Sequence, residues 1–208
     1  NTNKEWLLAS PQSEDQSACD WTAPLAYIDH TTTSYYATYI NADFVSKFSN
    51  TDVRNLFVAS STITNPADFR RYTTRKFKFN FGSDVPLIRT AEMILIDAEA
   101  LARTPGKEAE AHDLLYALQK NRDVNAVKST NTGAALIDEI LLERRKELYA
   151  ENGVEWFDAK RLRKGITRTG NHRIFKNLSA DDKRFFLKVP QSEIDANESI
   201  DDTVNKDR

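Results

Sequence analysis

The sequence contains a single cysteine, Cys19, among 208 residues. One cysteine excludes an internal disulfide framework and a zinc site built from several cysteines. Cys19 follows Ser17 and Ala18 without an apolar signal core, so we interpret it as an ordinary thiol and not as a lipid attachment site. The three histidines lie far apart and lack the H-x-x-x-H and H-E-x-x-H spacings. We therefore predict neither a metal site nor a cofactor.

Long apolar runs and an excess of one charge are also missing. No apolar run reaches the ~18 residues that a transmembrane helix requires. Twenty-nine basic and thirty-one acidic residues give a net charge of −2, with no long block of either sign. This balance argues against nucleic acid or an anionic membrane surface as the main partner. The length and a hydrophobic content of 40% are sufficient for one domain with a core.

Catalytic signatures are scarce. Only six glycines are present, and the sequence has no G-x-S-x-G nucleophile motif and no glycine-rich phosphate loop. A glycoside hydrolase needs two carboxylates roughly 5–10 Å apart, and the sequence cannot select such a pair from thirty-one acidic residues. These absences point away from an enzyme and leave a glycoside hydrolase as the least favoured alternative.

What the sequence does have is helical periodicity in its middle. Ser83-Asp84-Val85-Pro86 resembles a helix entry with proline at the first helical position. An apolar stripe at helical spacing follows it, made of Leu87, Ala91, Ile94, Leu95, Ala98, Leu101 and Ala102. Thr104-Pro105-Gly106 ends this helix, and a second one is predicted over Lys107–Arg122. The two form an antiparallel, tetratricopeptide-like hairpin, although no second copy occurs at the ~34-residue period of such repeats.

A long central helix is predicted between Thr132 as N-cap and Gly153 as its end, because Leu136, Ile140 and Leu148 recur at helical spacing. Two arginines fall on its apolar stripe, and buried charges must be paired. We therefore expect a structural ion-pair network that fixes how this helix meets the segment around Trp156. Its expected members are Arg144, Arg145, Glu147, Glu151, Asp158 and Arg161.

Aromatic residues concentrate in a segment without periodicity, from Ala9 to Tyr39, which we interpret as a long ordered loop. Such loops are usually functional or disordered. Rings with polar tips either stack on sugars or cover a neighbouring core, and the sequence leaves both possibilities open. The candidate ligand-binding residues are Trp21, Tyr27, Tyr35 and Tyr36 for stacking, with Asp29 and Asn41 for hydrogen bonds to hydroxyl groups.

Short elements surround these features. We predict a helix over Ala42–Phe48 capped by Asn41, an exposed strand over Phe77–Phe81, and a polar, frayed end from Glu198. Further short elements are predicted as a strand over residues 3–8, a helix over Trp156–Lys164 ended by Gly165, and a helical turn over Gln191–Asn197.

Five motifs occur in the order found in SusD/RagB-like proteins, which this chain resembles. The segment ERRKELYAENGVEWFDAKRLRKG resembles the ER-x-x-E-[LF]-x-x-E-G-x-R/E-W-x-D-x-x-R segment of that family. The other four are Asn3–Leu7, Asp52-Val53-Arg54, the Pro86–Ala100 region and Val189–Asn197. Departures occur at Asn152-Gly153, in Leu118–Arg122 and at Glu198, where the family usually has proline.

The resemblance implies a fold and an extent. It implies a mainly α fold, a SusD-like C-terminal region with the helix hairpin, the long central helix, long ordered loops and a few short strands. We expect a single domain over residues 1–208, with a loop-rich aromatic segment (1–82), a helical core (83–165) and a loop with the C-terminal signature (166–208). Because family members run to more than twice this length, we expect the N-terminal half and its lipid anchor to be missing here.

The resemblance also implies a function. Family members bind glycans or peptides at the outer membrane surface and hand them to a SusC-like TonB-dependent transporter. We therefore expect a non-catalytic protein of the outer membrane that binds oligo- or polysaccharide and delivers it to that transporter. A peptide-binding or purely structural partner of the transporter, without sugar affinity, is the alternative.

Overall fold

The computed structural model describes residues 4–13, 15, 20–31 and 34–206. It is mainly helical, with few short strands, as the sequence predicts. The helices are α1 (Pro24–Ile28), α2 (Ala42–Val45), α3 (Thr90–Ala102), α4 (Glu108–Arg122), α5 (Gly133–Leu148), α6 (Val154–Arg161) and α7 (Gln191–Ala196). The strands are β1 (Trp6–Ser10), β2 (Phe57–Ala59), β3 (Tyr72–Thr74) and β4 (Val85–Arg89), and 3₁₀ helices cover Lys183–Phe185 and Asp202–Asn205. Cys19, interpreted above as an ordinary thiol, lies outside the described residues.

The chain folds into two compact units. The first comprises Asn1–Asn152 and Gly170–Arg173, and the second comprises Gly153–Thr169 and Ile174–Arg208. The single domain over residues 1–208 and its three segments stay a prediction. In the part of the chain that the structure describes, no helix combines the length and the hydropathy needed to cross a bilayer.

One hydrophobic core cluster of the first unit lies where α3, α4 and α5 pack together, and a second is formed by Ile28, Ile40, Phe44, Phe48 and Tyr149. Leu95, Leu115, Leu136 and Ile140 are completely buried in the first of these clusters. Small residues on the facing stripes let the helices approach closely, namely Ala91, Ala98, Ala102 and Ala111. The helical spacing in the sequence therefore identified the packing faces of these helices.

The predicted helix entry at Val85–Pro86 is wrong. Val85–Arg89 is strand β4, which pairs antiparallel with β1 and brings Val85 opposite Ser10. Pro86 has no N–H to donate, and a two-stranded sheet tolerates this because each strand has an edge without a partner. The helix begins only at Thr90. The strand pairing joins residues about eighty positions apart, so no local pattern could have revealed it.

The central helix ends earlier than predicted. It stops at Leu148, and Ala150 and Asn152 adopt positive φ angles of 59° and 46°. Gly153 does adopt the left-handed conformation, with φ of 69°, but it occupies the N-cap position of α6. The Asn152 side-chain amide donates to the carbonyl oxygens of Pro86 and Leu87 at 3.1 and 3.2 Å, which holds this turn on β4.

The strand predicted over Phe77–Phe81 is also wrong, since β3 ends at Thr74 and residues 77–80 have no regular structure. The alternation of aromatic and polar residues nevertheless corresponds to an alternation of buried and exposed side chains at residues 78–80. Phe79 is buried, whereas Lys78 and Asn80 are exposed. The Phe79 N–H donates to the Asp29 carboxylate at 2.7 Å. The Asp29 side chain therefore accepts the hydrogen bond that a neighbouring strand would accept in a sheet.

The second unit combines α6, α7 and irregular segments. Trp156 on α6 packs on Phe185, with ring centroids 4.8 Å apart, and Ile166 pairs with Leu178 in an isolated bridge. The frayed end predicted from Glu198 is wrong within the described residues. The Asn205 side chain accepts from the N–H of Val189 at 2.8 Å and donates to its carbonyl oxygen at 2.9 Å.

Candidate ligand-binding surface and ionic cluster

Four aromatic residues named from the sequence lie at the surface of the first unit. Trp21, Tyr27, Tyr35 and Tyr36 expose 40%, 40%, 51% and 45% of their area. We call these four rings the aromatic surface. Each ring therefore has both a packed part and a part that is accessible to solvent, and a contact with a ligand stays a prediction.

Three rings of the aromatic surface touch one another. Trp21 and Tyr35 meet edge to face at a centroid distance of 5.6 Å, and Tyr35 and Tyr27 lie 4.9 Å apart at an angle of 33°. Trp21 also rests on Phe79 and Phe81, at 5.0 and 5.6 Å. Because Phe79 is buried, it supports the exposed rings from below.

Backbone hydrogen bonds fix the loop that carries these rings. The Tyr35 N–H donates to the Ala26 carbonyl oxygen at 2.8 Å, and the N–H groups of Ala37 and Thr38 donate to that of Tyr27 at 3.0 and 2.9 Å. Tyr36 adopts a positive φ of 51°, a conformation that costs a non-glycine residue of the order of 1 kcal/mol or more. The loop is therefore held in a defined and locally strained shape.

Asp29 was expected to bind hydroxyl groups of a ligand, but the structure gives it a different role. Its side chain is completely buried. One carboxylate oxygen accepts from the N–H and hydroxyl of Thr31 at 2.6 and 2.7 Å, and the other accepts from the Phe79 N–H. Asp29 thus joins α1 to the Phe79 segment below the aromatic surface. Its burial and its internal hydrogen bonds disfavour a direct contact with a ligand, which stays a prediction.

Asn41 is half-buried at the N-terminus of α2. Its side-chain oxygen accepts from the Asp43 N–H at 2.8 Å, which is the capping role predicted for it. This bond occupies the oxygen in the helix cap. A direct contact between Asn41 and a ligand stays a prediction.

A second row of rings continues from Tyr36. His30 lies 5.5 Å from Tyr36 and 4.9 Å from Tyr39, and Tyr39 meets Phe69 edge to face at 5.6 Å. The guanidinium carbons of Arg70 and Arg173 lie 5.6 and 5.5 Å from the Phe69 centroid. Phe69 and Arg173 were not identified from the sequence, since they lie far from the aromatic loop along the chain.

The phenolic hydroxyl groups at this surface are available for hydrogen bonds to a ligand. In the described residues, those of Tyr27, Tyr35, Tyr36 and Tyr39 have no hydrogen-bond partner. The His30 ring, by contrast, donates from Nε2 to the Thr38 carbonyl oxygen at 2.8 Å. Hydroxyl groups beside accessible ring faces are the combination that can stack on a sugar and hydrogen-bond to it.

An ionic cluster occupies the interior of the same unit, around Glu147 on α5. The Glu147 carboxylate accepts from Arg54 and Arg89 at 2.9 Å each, and from two nitrogens of Arg122 at 3.1 Å. Glu151 pairs with Lys76 at 2.5 Å and with Arg89 at 2.9 Å. Glu147 and Glu151 were named from the sequence, whereas the four cations come from distant segments.

A second part of the ionic cluster surrounds Asp52. Arg54 and Lys146 contact its carboxylate at 2.8 and 2.9 Å, and Arg54 also contacts Glu143 at 2.6 Å. Burial alone would raise the pKa of Asp52, but its hydrogen bonds with Arg54 and Lys146 lower the pKa to about 2. Burial likewise disfavours ionised Glu147, and the hydrogen bonds and charges of Arg122 and Arg89 outweigh it and hold the pKa at about 2. Both carboxylates therefore stay ionised near neutral pH.

The remaining residues predicted for the network lie at different places. Arg144 is buried and pairs with Glu92 of α3 at 2.9 Å. Arg145 lies over the Phe44 ring, with its guanidinium carbon 4.7 Å from the centroid. In the second unit, Asp158 pairs with Arg161 one helical turn away at 2.7 Å. Glu92 was missed because its partner is fifty-two residues away.

A cleft of about 1000 Å³ opens on the first unit beside the ionic cluster. Its wall combines apolar and charged side chains, and most of the charged ones already form ion pairs within the protein. The lining includes Trp6, Pro24, Leu25, Leu56, Phe77, Tyr149, Lys76, Lys78, Arg89, Glu147 and Glu151.

Within the described ranges, no group of three or more His, Cys, Asp or Glu side chains is arranged to hold a metal ion.

Comparison with known proteins gives consistent matches. A sequence profile of the SusD family matches residues 20–205. A SusD-like carbohydrate binding protein from Bacteroides vulgatus is similar with a TM-score of 0.77 and 24% identity, over 99% of this chain and 48% of that protein. A SusD superfamily protein from Bacteroides thetaiotaomicron is similar with a TM-score of 0.80 and 25% identity. The match covers 95% of this chain and 48% of that protein. The chain thus spans about half the length of these two proteins, and no curated protein matches its sequence.

Proposed function

The chain belongs to the SusD family, and from this premise we propose that it binds oligo- or polysaccharide at the cell surface and delivers it to a TonB-dependent transporter. The aromatic surface is the observation that carries the proposal. Three of its rings contact one another, and none of its three tyrosine hydroxyl groups has a hydrogen-bond partner in the described residues.

The physical argument starts from what sugars offer to a protein. A pyranose ring presents apolar C–H faces and a rim of hydroxyl groups, so an exposed ring contributes stacking and a phenolic hydroxyl contributes a hydrogen bond. Tyr35 provides both, since it is half-exposed and contacts Trp21 and Tyr27. The fixed loop reduces the entropy lost on binding, because the rings need not be ordered by the ligand.

Family membership supports the remaining parts of the proposal. We propose a non-catalytic role, a SusC-like TonB-dependent transporter as the partner, and an outer-membrane location with a lipid anchor on an N-terminal part. The solved relative from Bacteroides vulgatus is described as a carbohydrate binding protein, which supports a glycan as the ligand class.

A peptide ligand is the second candidate, and the cleft is the observation that favours it. Its mixed wall of apolar and charged side chains suits a polypeptide segment better than a sugar ring. Lys78 is exposed in this wall and has no partner in the described part of the chain. A Lys78→Glu exchange would weaken the binding of an acidic peptide at the cleft and leave glycan binding at the aromatic surface unchanged.

Native affinity electrophoresis of the chain in gels containing a panel of plant and host polysaccharides tests the proposal. We expect one glycan to retard the chain, and Trp21→Ala to abolish the retardation. Phe157→Ala, which truncates a ring that is 62% exposed in the second unit, is the matched control and should migrate like the parent chain. A chain that no glycan retards, and that binds peptides through the cleft, would contradict the proposal.

A further inference from the structure

The row of rings that continues from Tyr36 ends at Arg173, whose positive charge has no acidic partner among the described residues. Arg173 is exposed, lies over Phe69, and has no carboxylate partner in the described part of the chain. The neighbouring guanidinium differs. Arg70 is held by two hydrogen bonds to Asp68, from Nε at 3.0 Å and from an Nη at 2.7 Å. Only one of the two cations on this ring is therefore neutralised by an ion pair.

The position of Arg173 is fixed by a buried neighbour. Asn171 is 3% exposed. Its side-chain oxygen accepts from the Ala42 N–H at 2.7 Å, and its amide nitrogen donates to the Asp68 carbonyl oxygen at 2.8 Å. These bonds fasten the short segment Gly170–Arg173 to α2 and to the turn before Phe69. Arg173 thus belongs to a built surface and is not a side chain on a loose loop.

The charge balance around Phe69 also favours an anion. Arg71 donates to the carbonyl oxygens of Ser60 and Ile63 and has no carboxylate partner in the described residues. Two acidic side chains of the described residues lie in this region: Asp68 pairs with Arg70, and Asp43 lies against Gly170. Among the described residues, Arg71 and Arg173 therefore lack a carboxylate partner, whereas Arg70 has one.

We propose that the ring row formed by Tyr36, Tyr39, Phe69 and Arg173 recognises an acidic sugar residue within the glycan, carrying either a uronate carboxylate or a sulfate ester. This inference rests on the proposed glycan-binding function and names its substrate class. A guanidinium binds a carboxylate or a sulfate through paired, charge-assisted hydrogen bonds. The rings beside it contact the sugar faces, and the hydroxyl groups of Tyr36 and Tyr39, which have no hydrogen-bond partner in the described residues, reach the sugar rim.

Isothermal titration with galacturonan oligosaccharides and with their methyl esters tests the inference. The two ligands have the same sugar backbone and differ in the carboxylate charge. A sulfated galactan without uronate, compared with the same galactan after desulfation, tests the sulfate. We expect one acidic ligand to bind at least about tenfold more tightly than its neutral counterpart. Arg173→Gln should remove that preference without changing the melting temperature. Lys120→Gln, which makes the same charge change on α4, should leave the preference intact.

The outcomes separate the two proposals. If a neutral glycan binds and no acidic form binds more tightly, the acidic-sugar inference is wrong and the glycan-binding function stands. If Arg173→Gln binds the acidic ligand as tightly as the parent chain does, the inference is also wrong. If neither acidic nor neutral glycans bind, both proposals are wrong. A steep loss of affinity for the acidic ligand on raising the salt concentration would support the inference further.

Discussion

The buried carboxylate of Asp29 accepts a hydrogen bond from the backbone N–H of Phe79, fifty residues further along the chain. This bond joins the loop of the aromatic surface to the segment that supports it. Since Thr31 also donates twice to the same carboxylate, Asp29 positions the rings without any need to contact a ligand.

Asp29→Ala should therefore destabilise the fold. It leaves the Phe79 N–H buried without an acceptor, which costs about 1–3 kcal/mol, and it loses charge-assisted bonds with Thr31. We expect a decrease of about 2–4 kcal/mol in the free energy of unfolding, measured by urea denaturation. Asp20→Ala is the control, because Asp20 is exposed and bonds only to the neighbouring Thr22 and Ala23 in the described residues. Equal effects of the two substitutions would contradict this role of Asp29.

Glu147→Gln should be more severe. Glu147 accepts from Arg54, Arg89 and Arg122, and its side chain is only 4% exposed. Removing its charge leaves three guanidinium groups without their shared anion, and breaking a buried ion pair costs about 3–5 kcal/mol. Denaturant unfolding measures the loss. Glu110→Gln, in the exposed pair with Lys107, should cost less than about 1 kcal/mol. A similar cost for both would show that the ionic cluster does not stabilise the fold.

The stability of the chain should fall in acid. Folding depresses the pKa of Glu147 from 4.5 to about 2 and that of Asp52 from 3.8 to about 2. The unfolded chain therefore binds more protons between these values, and stability rises with pH there. The contribution should be complete above about pH 5 and be lost as the pH falls from about 4.5 towards 2. For Glu147 alone it amounts to about 3 kcal/mol.

Denaturant unfolding between pH 2 and pH 7 measures this dependence. Glu147→Gln should flatten the profile below pH 5, because the substituted side chain does not titrate. A parent profile that is flat between pH 5 and pH 2, or an unchanged slope in the variant, would contradict the assignment of the slope to the ionic cluster.

Two adjacent leucine-sized side chains of α3 provide a test of the core. Leu95 is completely buried between α3, α4 and α5, whereas Ile96 is 47% exposed. Leu95→Ala should cost about 2–5 kcal/mol through lost burial and a cavity. Ile96→Ala should change stability by less than about 1 kcal/mol. Thermal unfolding compares them directly, and a larger loss for Ile96→Ala would mean that the core is placed wrongly.

The sequence predicted the features that depend on local spacing. Helices α3, α4 and α5 and their buried stripes follow from apolar residues at helical intervals, and Asn41 follows from N-cap preference. The strand pairing of Val85 with Ser10 and the bond of Asp29 to Phe79 could not be predicted, since each joins residues at least fifty positions apart. The short apolar segment Val85–Arg89 before α3 has no sequence pattern that distinguishes a first helical turn from a strand.

The candidate site was predictable to a similar degree. The rings of Trp21, Tyr27, Tyr35 and Tyr36 stood out through residue type and their setting in a loop. Their exposure depends on long-range packing, and so does the addition of Arg173, which reaches Phe69 through contacts of Asn171. Asp29 was placed with the ligand-binding residues because a carboxylate in a loop has the same sequence signature whether it is exposed or buried.

The most direct test of a glycan-binding aromatic surface is titration calorimetry of Tyr35→Ala with the polysaccharide that retards the parent chain. Tyr35 contacts Trp21 and Tyr27 and is half-exposed, so its truncation removes ligand contact area at little cost to the fold. We predict an affinity at least about tenfold lower, as for truncation of a binding hot spot, with an unchanged melting temperature. An unchanged affinity would show that the aromatic surface does not bind the glycan.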